Sequence, residues 1–322
     1  MSFPGWLDVH GHFYPPTTEE EKHKRWLAMR EAKFMVPEPF GWDVNEVIEY
    51  NTKAGIAMQM LSNIPHVLST LKASNDFGHS VVQQHPTRFG LLAALPTNDA
   101  KACLEEIERT SLFSPPADGF ALSTVYAGSW LSDRLLEPVW KVLDKRGAVV
   151  HVHPNAYDGP KQGRPSPLIE VAFDTARTVV DMLYNGVFRR YPNIKFIFAH
   201  SGGAVPVLSG RLELLGTEAW VPNPENLTKE ELKTQLGSLH VDTAATAETG
   251  LAPALKMVGK DRCIYGADCG VPCSTAATME ENRLSVLKIE EEHGLERSKI
   301  GFNGFALFPQ AAERAKNGAF KL

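Results

Sequence analysis

Near the start of the chain, the stretch Asp8-Val9-His10-Gly11-His12-Phe13 places two imidazoles two residues apart just after an apolar pair, Trp6 and Leu7. Side chains at i and i+2 of a strand point the same way, so His10 and His12 face one cavity while Gly11 leaves the other side bare. A buried neutral ring without a partner costs on the order of 1–3 kcal/mol. A metal ion would satisfy both rings at once.

Three further polar residues close apolar, β-favouring segments: His153 in AVVHVHP (148–154), His200 in KFIFAH (195–200) and Asp268 in CIYGAD (263–268). Together with 6–13, 56–63, 89–96, 118–124 and 239–244 these make eight strand candidates. Helical spacing fills the gaps, as in 44–55, where Val44, Val47 and Ile48 share a face and Gly55 gives the stop, and at 101–110, 133–146, 174–190 and 276–292. This alternation predicts an α/β fold, a (β/α)8 TIM barrel, whose chemistry sits at the C-terminal ends of the strands. A doubly wound open sheet would carry a Gly-rich phosphate loop after its first strand, and none is present. Residues 14–42 form a long, charged insertion in the first βα loop, and 214–235 a second loop or set of short helices; long loops of this kind serve sites or interfaces. With no repeat, low-complexity tract or linker, 1–322 reads as one domain.

In that frame His10, His12, His153, His200 and Asp268 converge on one rim, a donor set suited to a Zn²⁺-like or Mn²⁺-like centre. A lone histidine at a strand end is more often a hydrogen-bonded core residue, and His66, His85, His240 and His293, which lack such company, are read that way. His151 points the same way as His153 but one layer deeper. Strand four, GFALST, offers no lysine or acid to bridge two ions, so the site is expected to hold one divalent metal ion, with a position left open for water or a substrate oxygen.

The bulk properties narrow the field. A net charge of −5 gives no general attraction to nucleic acid or anionic lipid. The chain shows no leader-like start and no window of the ~18 apolar residues a membrane span requires. Four cysteines in 322 residues make no disulfide framework, so we expect reduced thiols in a cytoplasmic protein.

The order His-x-His, HP after strand five, AHSGG after strand six, YGAD on strand eight and FNGFALF beyond it resembles the amidohydrolase superfamily, in particular the branch typified by aminocarboxymuconate-semialdehyde decarboxylase. The likeness runs from DVHGHF to FNGFALF. It implies that His10, His12, His153 and Asp268 bind the metal, zinc first and manganese second, with His200 beside it as acid/base. It also implies a homodimer in which Arg211 reaches the neighbouring subunit's site to bind a substrate carboxylate, and a structural role for Asn303. Three features depart from the family pattern: His151 stands where relatives carry an apolar residue, CGVPC replaces YPFP after Asp268, and no arginine near 44–50 is available for a second carboxylate. A monoaryl acid is therefore the expected substrate, with Phe13, Trp130, Phe173 and Phe305 as candidate aromatic walls. Length and opening most resemble the 6-methylsalicylate decarboxylases, which implies non-oxidative decarboxylation to 3-methylphenol and CO₂, with Asp268, its pKa raised by burial, as proton donor. The alternative is a metal-dependent hydrolase of lactones or cyclic amides.

Overall fold

The computed structural model describes residues 3–155 and 162–318. Each of the eight expected segments carries a strand: β1 (Trp6–His12), β2 (Ile56–Ser62), β3 (Phe89–Ala94), β4 (Gly119–Ser123), β5 (Val149–His153), β6 (Lys195–Phe198), β7 (His240–Asp242) and β8 (Cys263–Ile264). They pair in parallel in chain order. β8 and the residues after it return to β1, where Val9 N–H donates to the Tyr265 carbonyl at 3.0 Å and His12 N–H to that of Cys269 at 2.7 Å. The sheet is thus a (β/α)8 barrel closed through its first and last strands.

Leu7 and Val9 point into the barrel, where they pack with Met58, Met60, Ile197 and Ile264. The same cluster includes Phe305, Phe308 and three alanines of the last helix, Pro309–Asn317, which fill the N-terminal end as a floor. Asn303 has the structural role expected of it, donating from Nδ2 to the carbonyls of Lys260 and Cys263, both at 2.7 Å.

Strict alternation would turn His10 away from the side that Val9 faces. A register shift between Asp8 and Gly11 against β2 resets the parity, and β-bulges of this kind re-aim side chains at barrel rims. His10 and His12 therefore enter the barrel above Val9. Asp8 points out, where it accepts from Gln59 Nε2 at 2.7 Å and from the backbone N–H groups of His10 and Ala267 at 2.9 and 3.0 Å.

The insertion 14–42 is not all loop. It contains a helix, Glu19–Glu31, started by a reciprocal cap between Thr18 and Glu21. None of its residues is buried, so no apolar stripe marks it in the sequence. The segment expected as one helix at 174–190 is two, Glu170–Tyr184 and Val187–Arg190, separated at Gly186, whose φ of 68° breaks the helix. A helix at Lys229–Ser238 overlaps the end of the second irregular stretch.

Gly11 is required by close approach: a Cβ there would lie 2.6 Å from the Gln59 side chain and 2.9 Å from the Met60 carbonyl oxygen. Gly11→Ala is expected to destabilise the protein by about 1–3 kcal/mol through overpacking, as read by denaturant unfolding. An unchanged midpoint would show that β1 and β2 can separate without cost.

Candidate active site

The site is built on residues that end β1, β5 and β7 and on two turns that follow β6 and β8. His10 is fully buried; its Nδ1 lies 2.9 Å from Asp242 Oδ2, and its Nε2 lies 3.0 Å from His12 Nε2 and 3.3 Å from Asp268 Oδ1. His12 Nε2 is 3.1 Å from the same Asp268 oxygen. His153 sets its Nδ1 2.8 Å from the Pro154 carbonyl. Because carbonyl and ionised carboxylate oxygens only accept, Nδ1 of His10 and of His153 each carries the proton, which leaves each Nε2 as a lone pair.

His200 and Asp268 both occupy left-handed backbone, at φ 55° and 58°, which costs a non-glycine residue about 1–3 kcal/mol and is commonest at functional sites. Local bonds hold them there. His200 N–H donates to Asp242 Oδ1 at 2.9 Å, and Ser274 Oγ donates to Asp268 Oδ2 at 2.9 Å. His10, His153, His200 and Asp268 each bring one donor atom within 4.8 Å of the others, and His12 joins through its contacts to His10 and Asp268. All five rim residues named from the sequence meet.

Asp242, not singled out in the sequence, organises them. Its Oδ2 accepts from His10 Nδ1 and from His151 Nε2 at 2.8 Å, and its Oδ1 from the backbone N–H groups of His200 and of Ala244, the latter at 3.0 Å. Burial works to raise its pKa, but the adjacent His10 ring and the bonds from His10 and His151 hold it well below the usual carboxylate range. Its signal was one acid inside the apolar run LHVDTA. His151 thus serves Asp242 from the layer beneath the rim.

Burial lowers the His10 pKa to about 4 against the pull of Asp242 and holds His153 well below its ordinary value, so both rings are neutral near pH 7. Asp268 departs from expectation. Burial alone would raise its pKa, but the bond from His12 and the nearby His10 and His200 rings pull it below the ordinary carboxylate value, so it rests ionised. The His10 lone pair therefore faces an Asp268 oxygen at 3.3 Å, and a His153 donor atom lies within 4.8 Å of both residues, an arrangement that a divalent cation would convert from repulsion to ligation.

Above the cluster opens a cavity of about 610 Å³. Its apolar walls are Ala28, Met29, Ala32 and Phe34 of the insertion, Pro165, Pro167, Leu168 and Val171 after β5, and Val271 and Pro272 of the CGVPC segment. The four candidate aromatics lie elsewhere. Phe305 stacks on Phe3 in the floor, centroids 3.8 Å apart, at the opposite end of the barrel. Phe13 is fully buried against Trp42 and Phe77, behind the rim. Trp130, in a small hairpin after β4, and Phe173, at the start of the helix after β5, are exposed and outside the cavity wall. Aromatic type did not reveal position, because it says nothing of which barrel layer a side chain occupies. Arg211 is exposed on the helix Val205–Leu215 and does not line its own chain's cavity.

Replacing Asp242 by Asn removes the charged acceptor that orients His10. Asp242→Asn is expected to weaken divalent-metal affinity by about 10- to 100-fold with the fold retained, measured by chelator competition alongside circular dichroism. Unchanged affinity would show that His10 is oriented without it.

Comparison with known proteins agrees with this geometry. The chain is 28% identical to decarboxylase macB of Penicillium terrestre, over 81% of this chain and 83% of that one. It is 26% identical to 6-methylsalicylic acid decarboxylase of Penicillium expansum, over 89% and 91%. The solved structure of a dihydroxybenzoic acid decarboxylase from Polaromonas sp. JS666, with bound manganese and the inhibitor 2-nitroresorcinol, shares the fold with a TM-score of 0.75 at 21% identity, covering 95% of this chain and 97% of that one. The family model described as amidohydrolase matches residues 7–284, and the chain belongs to that family.

Proposed function

We propose that this protein is a metal-dependent, non-oxidative decarboxylase of a small aromatic acid, of salicylate type, such as 6-methylsalicylate, which would yield 3-methylphenol and CO₂. The observation that carries the reading is the cavity itself, with imidazole and carboxylate donors gathered at one end and apolar walls elsewhere, in a chain whose relatives are named decarboxylases. The order of motifs assigns His10, His12, His153 and Asp268 as ligands of one divalent ion. The imidazole-rich set suits zinc, and the manganese in the Polaromonas structure makes that ion the second to test. The bound ion would supply Lewis acidity to the oxygens of an acid at this rim.

Decarboxylation requires a proton on the ring carbon that bears the carboxylate; the C–C bond then breaks, its electron pair restores the aromatic ring, and CO₂ leaves. Asp268 is the proposed donor. Because it rests ionised, it must collect that proton in each turnover, and His200, on the same rim with a buried Nδ1 that has no hydrogen-bond partner, is the proposed relay. The four free cysteines fit a reducing cytoplasm, and among the described residues no helix is long and apolar enough to cross a membrane.

A homodimer completes the reading. Arg211 makes no ion pair among the described residues, and Val207 and Leu214, one turn to either side on the same helix, are 69% and 65% exposed. An apolar stripe around an unpaired guanidinium suits a second copy of the chain that accepts the arginine at its site.

Incubation of metal-analysed protein with a panel of aryl acids and lactones is expected to release CO₂ from a hydroxybenzoate. Turnover that consumes water without CO₂ would favour the lactone or cyclic-amide hydrolase instead. His200→Ala should keep one equivalent of metal and lose about 10²- to 10⁴-fold in kcat; metal lost in step with activity would make His200 a ligand. Mixing inactive His200→Ala and Arg211→Ala chains should restore activity, because one site in each mixed dimer has His200 from its own chain and Arg211 from its neighbour. No recovery after confirmed subunit exchange would exclude action in trans.

A further inference from the structure

The insertion helix Glu19–Glu31 turns one face toward the cavity, carrying Arg25, Ala28 and Met29, with Ala32 just beyond its end. The spacing i, i+3, i+4, i+7 is that of one helix face. Three of these side chains are small or apolar, and the fourth is the only lysine or arginine among the described residues that line the cavity. Arg25 is half-buried. Its Nη2 donates to the Phe40 carbonyl at 3.1 Å, and its guanidinium carbon lies 5.1 Å from the centre of the Tyr14 ring.

These two contacts fix the orientation of the guanidinium without neutralising it. A carbonyl oxygen and a ring face take part of its five-donor capacity, and no carboxylate pairs with it among the described residues. Glu21, one turn earlier and outside the cavity lining, commits its carboxylate to the Thr18 cap and acts on Arg25 only as a nearby exposed charge. A half-buried, oriented and unpaired cation in an otherwise apolar wall is expensive to maintain unless an anion completes it.

We propose that Arg25 is a specificity-determining residue that anchors the carboxylate of an aromatic monoacid from within the same chain, so that the insertion helix selects acids over their neutral analogues. The proposal rests on the decarboxylase reading for the identity of the acid, and it gives the insertion a recognition role that does not depend on a neighbouring subunit. A planar fork held against a ring is suited to bidentate capture of a carboxylate, whereas a lysine at the same place would provide charge alone.

The test is calorimetric binding of salicylate and of 3-methylphenol to metal-loaded wild-type protein and to its Arg25→Met and Arg25→Lys variants, with metal content and thermal midpoint measured in parallel. Arg25→Met is expected to weaken salicylate binding by about ten-fold or more while changing 3-methylphenol binding by less than about two-fold, with metal content unchanged. Arg25→Lys should recover part of the loss. Equal weakening of both ligands, which a merely shaped wall would give, or no weakening of salicylate, would overturn the proposal. Failure of the decarboxylase reading looks different: wild-type protein would bind salicylate through Arg25 and release no CO₂ from any aryl acid.

Discussion

The rim depends on one buried carboxylate. Asp242 accepts four hydrogen bonds, two from imidazoles and two from backbone N–H groups, and each fixes a different part of the site. The bond to His10 sets a tautomer, and the bond to the backbone of His200 helps to hold a left-handed turn. A charge fully removed from water is stable only when its lone pairs are filled, so the four donors and the carboxylate stabilise one another. Because the donors come from β1, β5 and the turns after β6 and β7, displacement of any one is felt by the rest. The site is preorganised by electrostatics in a layer that does not line the cavity.

The wall above that rim is made differently. The rim histidines and Asp268 stand on or just after barrel strands, whereas much of the cavity's surface comes from the insertion and from the loops after β5 and β8. The insertion helix contributes no buried residue to the core; contacts such as those of Trp26 and Arg25 with the carbonyls of Val36 and Phe40 brace it. The polar rim and the apolar wall therefore belong to parts of the chain with different packing constraints. Substitutions on the helix face can reshape the cavity at little cost to the barrel.

Much of this was legible in the residues. Eight apolar segments with helical spacing between them identified the barrel, and the barrel rule placed four histidines and Asp268 on one rim, because strand ends have a known direction. The bulge in β1 was not legible: nothing in DVHGHF marks where alternation resets, and a strict reading places Asp8 beside His10, whereas the structure turns it outward. Asp242 was hidden because a single acid in a short strand carries no spacing signal. The insertion helix was hidden because a polar helix has no apolar period. Aromatic residues misled for a related reason, since Phe305 belongs to the floor and Phe13 to the layer behind the rim.

The floor has a consequence of its own. Phe305, Phe308 and the alanines of the last helix close the end of the barrel opposite the rim. A molecule at the histidine cluster therefore sits at the bottom of a cup, and whatever is formed there leaves by the mouth through which its precursor came. Entry and exit therefore share one face of the barrel. A ligand and the molecule formed from it compete for the same cup, so a product that lingers there would exclude the next ligand.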